Sequence, residues 1–161
     1  MIRHIVAIDS RGGFAKFTVD GTLTIPWNLP GDKTYYHDHI RGQRLLMGRI
    51  SYDAKRAERA VYNYVLTHDT ALQVVNGEVV SSVDEALAKN GGQDLWVIGG
   101  ETVYAATIHL ADELYITRVD GDFLCDRFYP KIPDTFARTY VSEPQHEHGA
   151  TYRFEVYKKQ R

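Results

Sequence analysis

The chain has 161 residues, 43% of them hydrophobic and 25% charged, with a formal net charge of −2. That length suits one domain with one real core, and the composition is that of an ordinary globular protein rather than a disordered or membrane-embedded one. No apolar run approaches the roughly 20 residues of a membrane span, and the near-neutral charge gives no electrostatic case for nucleic-acid binding.

In chain order, residues 2–9 form a short apolar run closed by Ser10-Arg11-Gly12-Gly13, which predicts a buried strand. Its N-terminal side lacks the charged and apolar regions of a secretory signal. Up to Thr24 the pattern alternates weakly around Asp20-Gly21, a hairpin turn signal. Residues 30–40 predict a helix with Gly42 just past its end, and 44–47 a short strand from which Gly48 opens a helix into Arg56. Residues 61–67 and 72–75 read as strands, with Asn76-Gly77 as a turn. Ser82, with Glu85 three residues on, has the capping-box pattern of a helix start. A strand is expected at 95–98, a helix at 100–109 and a strand at 113–119. Residues 136–143 and 151–158 alternate polar with aromatic or aliphatic side chains and predict a closing antiparallel pair. His146 and His148 fall in a polar, Pro/Gly-flanked stretch that reads as a loop.

Strands alternating with helices up to Val119 imply an α/β three-layer sandwich over residues 1–161, a single domain. Its central sheet should be mostly parallel, with helices on both faces and an antiparallel C-terminal edge. The single cysteine, Cys125, cannot form an internal disulfide, which agrees with a reducing, cytoplasmic compartment. With no Cys pair and the two histidines in a loop, no metal is expected.

The stretch Ile25-Pro26-Trp27-Asn28-Leu29-Pro30-Gly31-Asp32 places a carboxylate in the first turn of a helix that begins at a proline. Proline suits that first position because its missing N–H would have had no partner there. Asp32 then lies near the positive end of the helix dipole, behind an apolar wall of Ile25, Trp27 and Leu29. A carboxylate in a mostly apolar cleft is costly unless a cation or hydrogen-bond donors meet it, so the expected partner is a ligand presenting N–H groups. Two glycine turns carry the second signal. Gly99-Gly100 and Gly48-Arg49-Ile50-Ser51 each follow a strand and open a helix, which exposes backbone N–H groups to an anion. Arg49 adds a fixed cation and Ser51 a hydroxyl. Two such turns on parallel strands suit a dinucleotide, although no G-x-G-x-x-G fingerprint is present.

These residues carry a resemblance. Pro26-Trp27-Asn28-Leu29-Pro30-Gly31-Asp32, followed by Tyr35 and Tyr36, resembles the substrate-binding signature of the dihydrofolate reductase family. Leu46-Met47-Gly48-Arg49 with Ser51 is similar to its strand-to-helix cofactor loop. Trp96-Val97-Ile98-Gly99-Gly100-Glu101-Thr102-Val103-Tyr104 is similar to its glycine-pair loop and helix. The resemblance continues through Leu114-Tyr115-Ile116-Thr117, Asp126-Arg127-Phe128-Tyr129-Pro130 and Tyr152-Arg153-Phe154-Glu155-Val156, and so covers nearly the whole chain.

The resemblance implies NADPH-dependent reduction of 7,8-dihydrofolate to tetrahydrofolate, by hydride transfer to pterin C6 and protonation of N5, in support of one-carbon and thymidylate metabolism. Asp32 would grip the pterin's 2-amino group and N3–H, Thr117 would tie that carboxylate into a hydroxyl network, and Trp27 would order a water. Ile5, Val6 and Tyr36 would sandwich the ring, the carbonyls of Ile5 and Ile98 would reach its 4-position face, and Tyr104 would lie near the nicotinamide. The NADPH site would comprise Gly48, Arg49, Ile50, Ser51, Ile98, Gly99, Gly100, Glu101, Thr102, Val103 and Tyr104. Arg49, Thr67 and His68 would hold the 2′-phosphate, Ala7 the carboxamide, and Ile25 would sit on a mobile loop over the nicotinamide.

The departures gather at the substrate tail. Lys33 follows the acid where the family commonly has leucine or glutamine, and Val61 aligns with the arginine that usually clamps the glutamate tail. Ala54-Lys55-Arg56-Ala57-Glu58-Arg59-Ala60 is charged where an apolar, proline-glycine-rich loop is usual, and Lys33, Arg56 or Arg59 is the expected replacement for the missing arginine. Thr102 stands where a second basic residue is often found, His68 replaces the more usual Ser or Arg, and the loop between Gly13 and Pro26 is lengthened. Two alternatives stay open: a related reductase of a phosphorylated pyrimidine, and a non-catalytic protein that binds folate and NADPH. Otherwise the partners are small molecules, with no nucleic acid or membrane, and a monomer is the default.

Overall fold

The computed structural model describes residues 1–55 and 60–161. In chain order the first half runs β1 (Ile2–Ile8), β2 (Gly13–Phe17), β3 (Leu23–Thr24), α1 (Pro30–Ile40), β4 (Arg44–Gly48), α2 (Arg49–Lys55), β5 (Tyr62–Leu66) and β6 (Gly77–Val80). The second half runs α3 (Val83–Asn90), β7 (Leu95–Val97), α4 (Glu101–Thr107), a 3-10 turn, β8 (Glu113–Val119), β9 (Arg127–Phe128), β10 (Phe136–Val141), β11 (Gln145–Glu147) and β12 (Ala150–Lys159). A nine-stranded sheet has the order β10-β12-β8-β1-β7-β4-β5-β6, with β11 paired to β12. Strands β8, β1, β7, β4, β5 and β6 are parallel, and β12 and β10 close the other edge antiparallel. This is the expected α/β three-layer arrangement with a mostly parallel sheet.

Alternation along the strands builds the two layers. Ile5, Leu45, Met47, Val65, Trp96 and Ile98 face one side, where Ile40, Tyr35 and Tyr36 of α1 and Tyr52 of α2 cover them. Val6, Ile8, Leu46, Tyr64 and Val97 face the other, covered by Ala86 and Leu87 of α3 and Val103 and Tyr104 of α4. Because both faces are buried, the central strands read as near-continuous apolar runs. Helix α3 keeps half of the capping box: Ser82 Oγ accepts the Glu85 N–H at 3.0 Å, while the Glu85 carboxylate reaches one residue past the cap, to the Ser81 N–H at 2.7 Å.

Two expectations are corrected. The strand expected at 72–75 lies later, at Gly77–Val80. Asn76 takes a left-handed turn (φ +48°), and Gly77 lets the backbone pass so close to Asn63 that an added Cβ would sit 1.9 Å from the Asn63 carbonyl oxygen. The Asn-Gly pair therefore turns the chain into a parallel strand rather than between two. The expected hairpin around Asp20-Gly21 is present as β2–β3, and it sits in a separate three-stranded sheet in which β9 pairs antiparallel with β2. Two-residue strands such as β9 carry no periodicity from which to read them. The second correction is that His146 is in strand β11, opposite Thr151 of β12, while His148 turns the hairpin (φ +46°). Arg56, Arg59 and the charged stretch between them lie outside the described residues.

Under the sheet, His4 is fully buried. Thr107 donates its one hydroxyl proton to the Val103 carbonyl at 2.7 Å, so it receives a hydrogen bond from His4 Nε2 at 2.8 Å. That leaves His4 Nδ1 to accept from the Tyr129 hydroxyl at 2.8 Å. The ring is thus neutral with both nitrogens used, and burial pushes its pKa from 6.5 down to about 3. An unfolded chain takes up a proton below pH 6.5 that the folded chain refuses until about pH 3, so stability falls as pH drops through that window. The slope is about 1.4 kcal/mol per pH unit, which makes the expected loss at pH 5 about 2 kcal/mol. Urea unfolding at pH 7 and pH 5 checks this, and His4→Gln should flatten the dependence. An unchanged slope in that variant would place the acid sensitivity elsewhere.

Candidate active site

Helix α1 is positioned from outside. Pro30 occupies its first turn, and Leu29 offers no side-chain cap. The Gly31 N–H instead donates to Glu147 Oε1 at 2.9 Å, and the Tyr152 hydroxyl donates to the same oxygen. These two donors, Tyr152 first, hold the Glu147 carboxyl below its ordinary range. Further along, Tyr35 stacks on Phe154 at 3.9 Å between ring centres. Asp32 in the first turn is half-buried and accepts a hydrogen bond of 2.7 Å from the Thr117 hydroxyl. Thr117 is buried on β8, in register with Ala7 of β1 and Phe154 of β12. The site acid is therefore fixed to the sheet by one side chain and to the C-terminal hairpin by its helix start.

The apolar surroundings are narrower than expected. Leu29 is buried against Val119 and Tyr152, and Trp27 packs edge-on against Phe123 at 5.2 Å. Ile25, however, is 52% exposed, so the wall consists of Leu29 and Trp27. Ile5 and Val6 point to opposite faces of β1, as successive strand residues must. Ile5 shares its side with Tyr36, whereas Val6 is in the other layer and can present only its backbone there. Tyr104 is buried, and its hydroxyl donates to the Ile5 carbonyl at 2.8 Å, bracing β1 from behind.

The glycine turns meet at the C-terminal ends of neighbouring strands β4 and β7. The Gly48 N–H donates to the Gly99 carbonyl at 2.8 Å, and the Ile98 N–H to the Leu46 carbonyl at 3.1 Å. Gly99 has φ +117°, and a Cβ there would come within 3.2 Å of Ser51 Oγ and the Tyr104 ring. In front of them opens a cleft of about 710 Å³. Gly48, Arg49, Ile50 and Ser51, with Thr67, His68, Gly100, Glu101, Thr102 and Val103, line it. Ala7, Ile25, Ile98, Gly99 and Tyr104 are not among its walls. Sequence reasoning missed Ser81 and Ser82 at the β6–α3 turn and Phe14, Phe17, Leu23 and Arg127 from the small sheet. The Arg49 guanidinium is already engaged by Asp69 at 2.8 Å and Asp53 at 3.1 Å, which raises its pKa further. Among the described residues, no group of three or more His, Cys, Asp or Glu could hold a metal ion, and no helix is long and apolar enough to cross a membrane.

The family model for dihydrofolate reductase matches residues 1–161. The chain belongs to the dihydrofolate reductase family. It is 28% identical over 182 aligned residues to the dihydrofolate reductase of Aedes albopictus, covering 96% of this chain and 95% of that one. It is 32% identical to that of Staphylococcus aureus over 113 residues, 70% of this chain and 69% of the relative. Among solved structures, dihydrofolate reductase from Enterococcus faecalis, complexed with NADP(H) and RAB-propyl, superposes with a TM-score of 0.87 at 24% identity. That likeness covers 100% of this chain and 97% of the other, and establishes the fold. Against this family frame the tail departures are concrete. Val61 is 57% exposed at the entry to β5, and Lys33 Nζ donates to Asn28 Oδ1 at 3.2 Å on the exposed side of α1.

Proposed function

We propose that this chain reduces 7,8-dihydrofolate to tetrahydrofolate with NADPH, as a single-domain, cytoplasmic monomer supplying one-carbon and thymidylate metabolism. The observation that carries the reading is the Thr117–Asp32 hydrogen bond of 2.7 Å, on the same sheet whose strand ends build the glycine-turn cleft. Family membership and a fold neighbour solved with NADP(H) support it. The cleft fits a dinucleotide: its volume falls in the range of small-molecule sites, and its walls combine glycine backbone, hydroxyls and cations. NADPH, when bound, supplies the hydride that reaches C6 of the dihydropterin.

The chain's own residues bind and orient. Asp32 accepts charge-assisted hydrogen bonds from the pterin's 2-amino group and N3–H, which fixes the ring's register. Thr117 commits its single proton to Asp32 and so fixes the carboxylate's direction. Ile5 and Tyr36 flank the ring, and Trp27 orders the water through which a proton reaches N5. On the cofactor side Gly48, Ser51, Gly100 and Thr102 meet the phosphates, while Arg49, Thr67 and His68 meet the adenosine end. Loss of NADPH absorbance on mixing protein, NADPH and dihydrofolate tests the whole reading; no turnover with either substrate saturating would overturn it.

For the tail, Lys33 is the described cation one residue beyond Asp32. Lys33→Ala is expected to raise KM for dihydrofolate by up to about fivefold with kcat unchanged, the range of an exposed ion pair. Adding Arg59→Ala should deepen the effect. Unchanged KM in the double variant would remove these residues from tail binding.

A further inference from the structure

We propose that Arg127 is a second phosphate-binding cation of the cofactor cleft, engaging the pyrophosphate of the dinucleotide from the small-sheet side; the inference rests on the reading of this cleft as a dinucleotide site. A dinucleotide carrying a further phosphate brings several negative charges into one groove. The cation expected from sequence, Arg49, shares its charge with Asp53 and Asp69, and Thr102 on the α4 wall adds none. Glu101 contributes a carboxylate to the same wall. With Arg49 alone, the groove is poorly compensated for such a ligand.

Arg127 lines the cleft and changes that balance. Its guanidinium lies over the Phe17 ring at 4.4 Å, and Phe17 is itself a cleft wall. The ring supports the flat face of the fork and leaves N–H groups at its edge for an anion. Its carboxylate contact is long, 3.8 Å to its neighbour Asp126, alongside a bond of 2.9 Å to the Asp126 carbonyl. The backbone of Arg127 is also placed. Arg127 pairs with Ala15 in β2, and the next N–H, of Phe128, donates to Glu101 Oε2 at 2.6 Å. That bond ties β9 to the first residue of α4, so Arg127 belongs to the stretch of cleft that follows β7. Arg49 follows β4, and Thr67 and His68 follow β5. Strand order β7-β4-β5 therefore sets Arg127 at one end and the adenosine-phosphate group at the other, with the pyrophosphate side facing Arg127.

The test titrates wild-type protein, Arg127→Gln and Arg127→Lys with NADPH, NADH and adenosine 2′-monophosphate, followed by calorimetry without folate substrate. Arg127→Gln is expected to weaken NADPH and NADH by the same factor, about tenfold or more, and to leave adenosine 2′-monophosphate unchanged. Arg127→Lys should recover part of the loss, and the salt dependence of NADPH binding should be shallower in Arg127→Gln. Unchanged dinucleotide affinity in Arg127→Gln would overturn the inference while leaving the dinucleotide site standing. A loss shared equally by adenosine 2′-monophosphate would also overturn it, since the residue would then shape the cleft generally. Wild-type protein that binds neither dinucleotide would overturn the proposed function itself.

Discussion

Asp32→Asn is expected to lower kcat for dihydrofolate by a factor on the order of 100 to 10,000 while leaving NADPH affinity and thermal stability close to wild type. The substitution keeps size and shape, and the Thr117 hydroxyl can still donate to the asparagine oxygen in place of its 2.7 Å bond to the carboxylate. Helix α1 keeps its start, because that is held by Glu147 accepting the Gly31 N–H and by Tyr35 on Phe154 rather than by Asp32. What disappears is the negative charge and the capacity to accept two N–H bonds on one side of the pterin. A half-buried charge facing a ligand is strengthened by the same partial exclusion of water that makes it costly in the free protein. Thr117→Val isolates the orienting contribution: it should cost about tenfold to a hundredfold, the worth of one hydrogen bond to a charged group. Near-normal turnover of Asp32→Asn at neutral pH would remove Asp32 from the chemistry, and an equal loss of NADPH binding would make its role structural.

The parts of this site that were legible in sequence are those in which chemistry and local geometry share one short segment. Pro30 with Asp32, Gly48 with Arg49 and Ser51, Gly99-Gly100 after a buried strand, and Ser82 with Glu85 each state their own conformation within a few residues. The alternation of apolar strands with helices likewise reports the layers without any tertiary knowledge. What escaped depends on contacts between distant segments. The cap on α1 comes from Glu147 on the C-terminal hairpin, and nothing around Leu29 or Gly31 announces it. Arg127 and Phe17 become cleft walls only because β9 pairs with β2. The resemblance named residues 126–130 as a motif, yet their contribution to the groove required the small sheet. Strand phase is a subtler case. Ile5 and Val6 are neighbours in sequence and look alike, but the pleat sends them into different layers, so a list of contact residues overstates how many side chains one ring can meet. Arg49 shows the converse: the residue type is right for a phosphate, while its charge is already shared with Asp53 and Asp69.

Gly77→Ala should produce the largest loss of stability of any glycine-to-alanine change in this chain. An ideal Cβ at Gly77 lies 1.9 Å from the Asn63 carbonyl oxygen, 2.7 Å from its carbonyl carbon and 2.9 Å from its Cβ. The first two of these are backbone atoms of the paired strand, so no side-chain rotamer can relieve the overlap. Strand β6 would have to withdraw from β5, at a register point where the Asn63 N–H donates to the Asn76 carbonyl at 2.7 Å and Asn63 Nδ2 to the Val75 carbonyl at 3.0 Å. Withdrawal also unpacks Val80 and Ala86, both fully buried. The expected cost is about 3 kcal/mol or more, and for a chain of this length that lowers Tm by roughly 6–12 °C. Gly42→Ala is the control, since it adds a methyl in open space at φ +71° and should cost only about 1 kcal/mol through backbone strain. The damage should reach function on one side only. The Thr67 N–H donates to the Val80 carbonyl at 3.2 Å, so β6 supports the cleft wall that carries Thr67, His68, Ser81 and Ser82. Asp32 and Thr117 sit beyond β1, on the far side of β7 and β4. KM for NADPH should therefore rise in Gly77→Ala by more than KM for dihydrofolate. A Tm within 2 °C of wild type, measured under the same buffer and scan rate, would mean the strand pair yields where the geometry says it cannot.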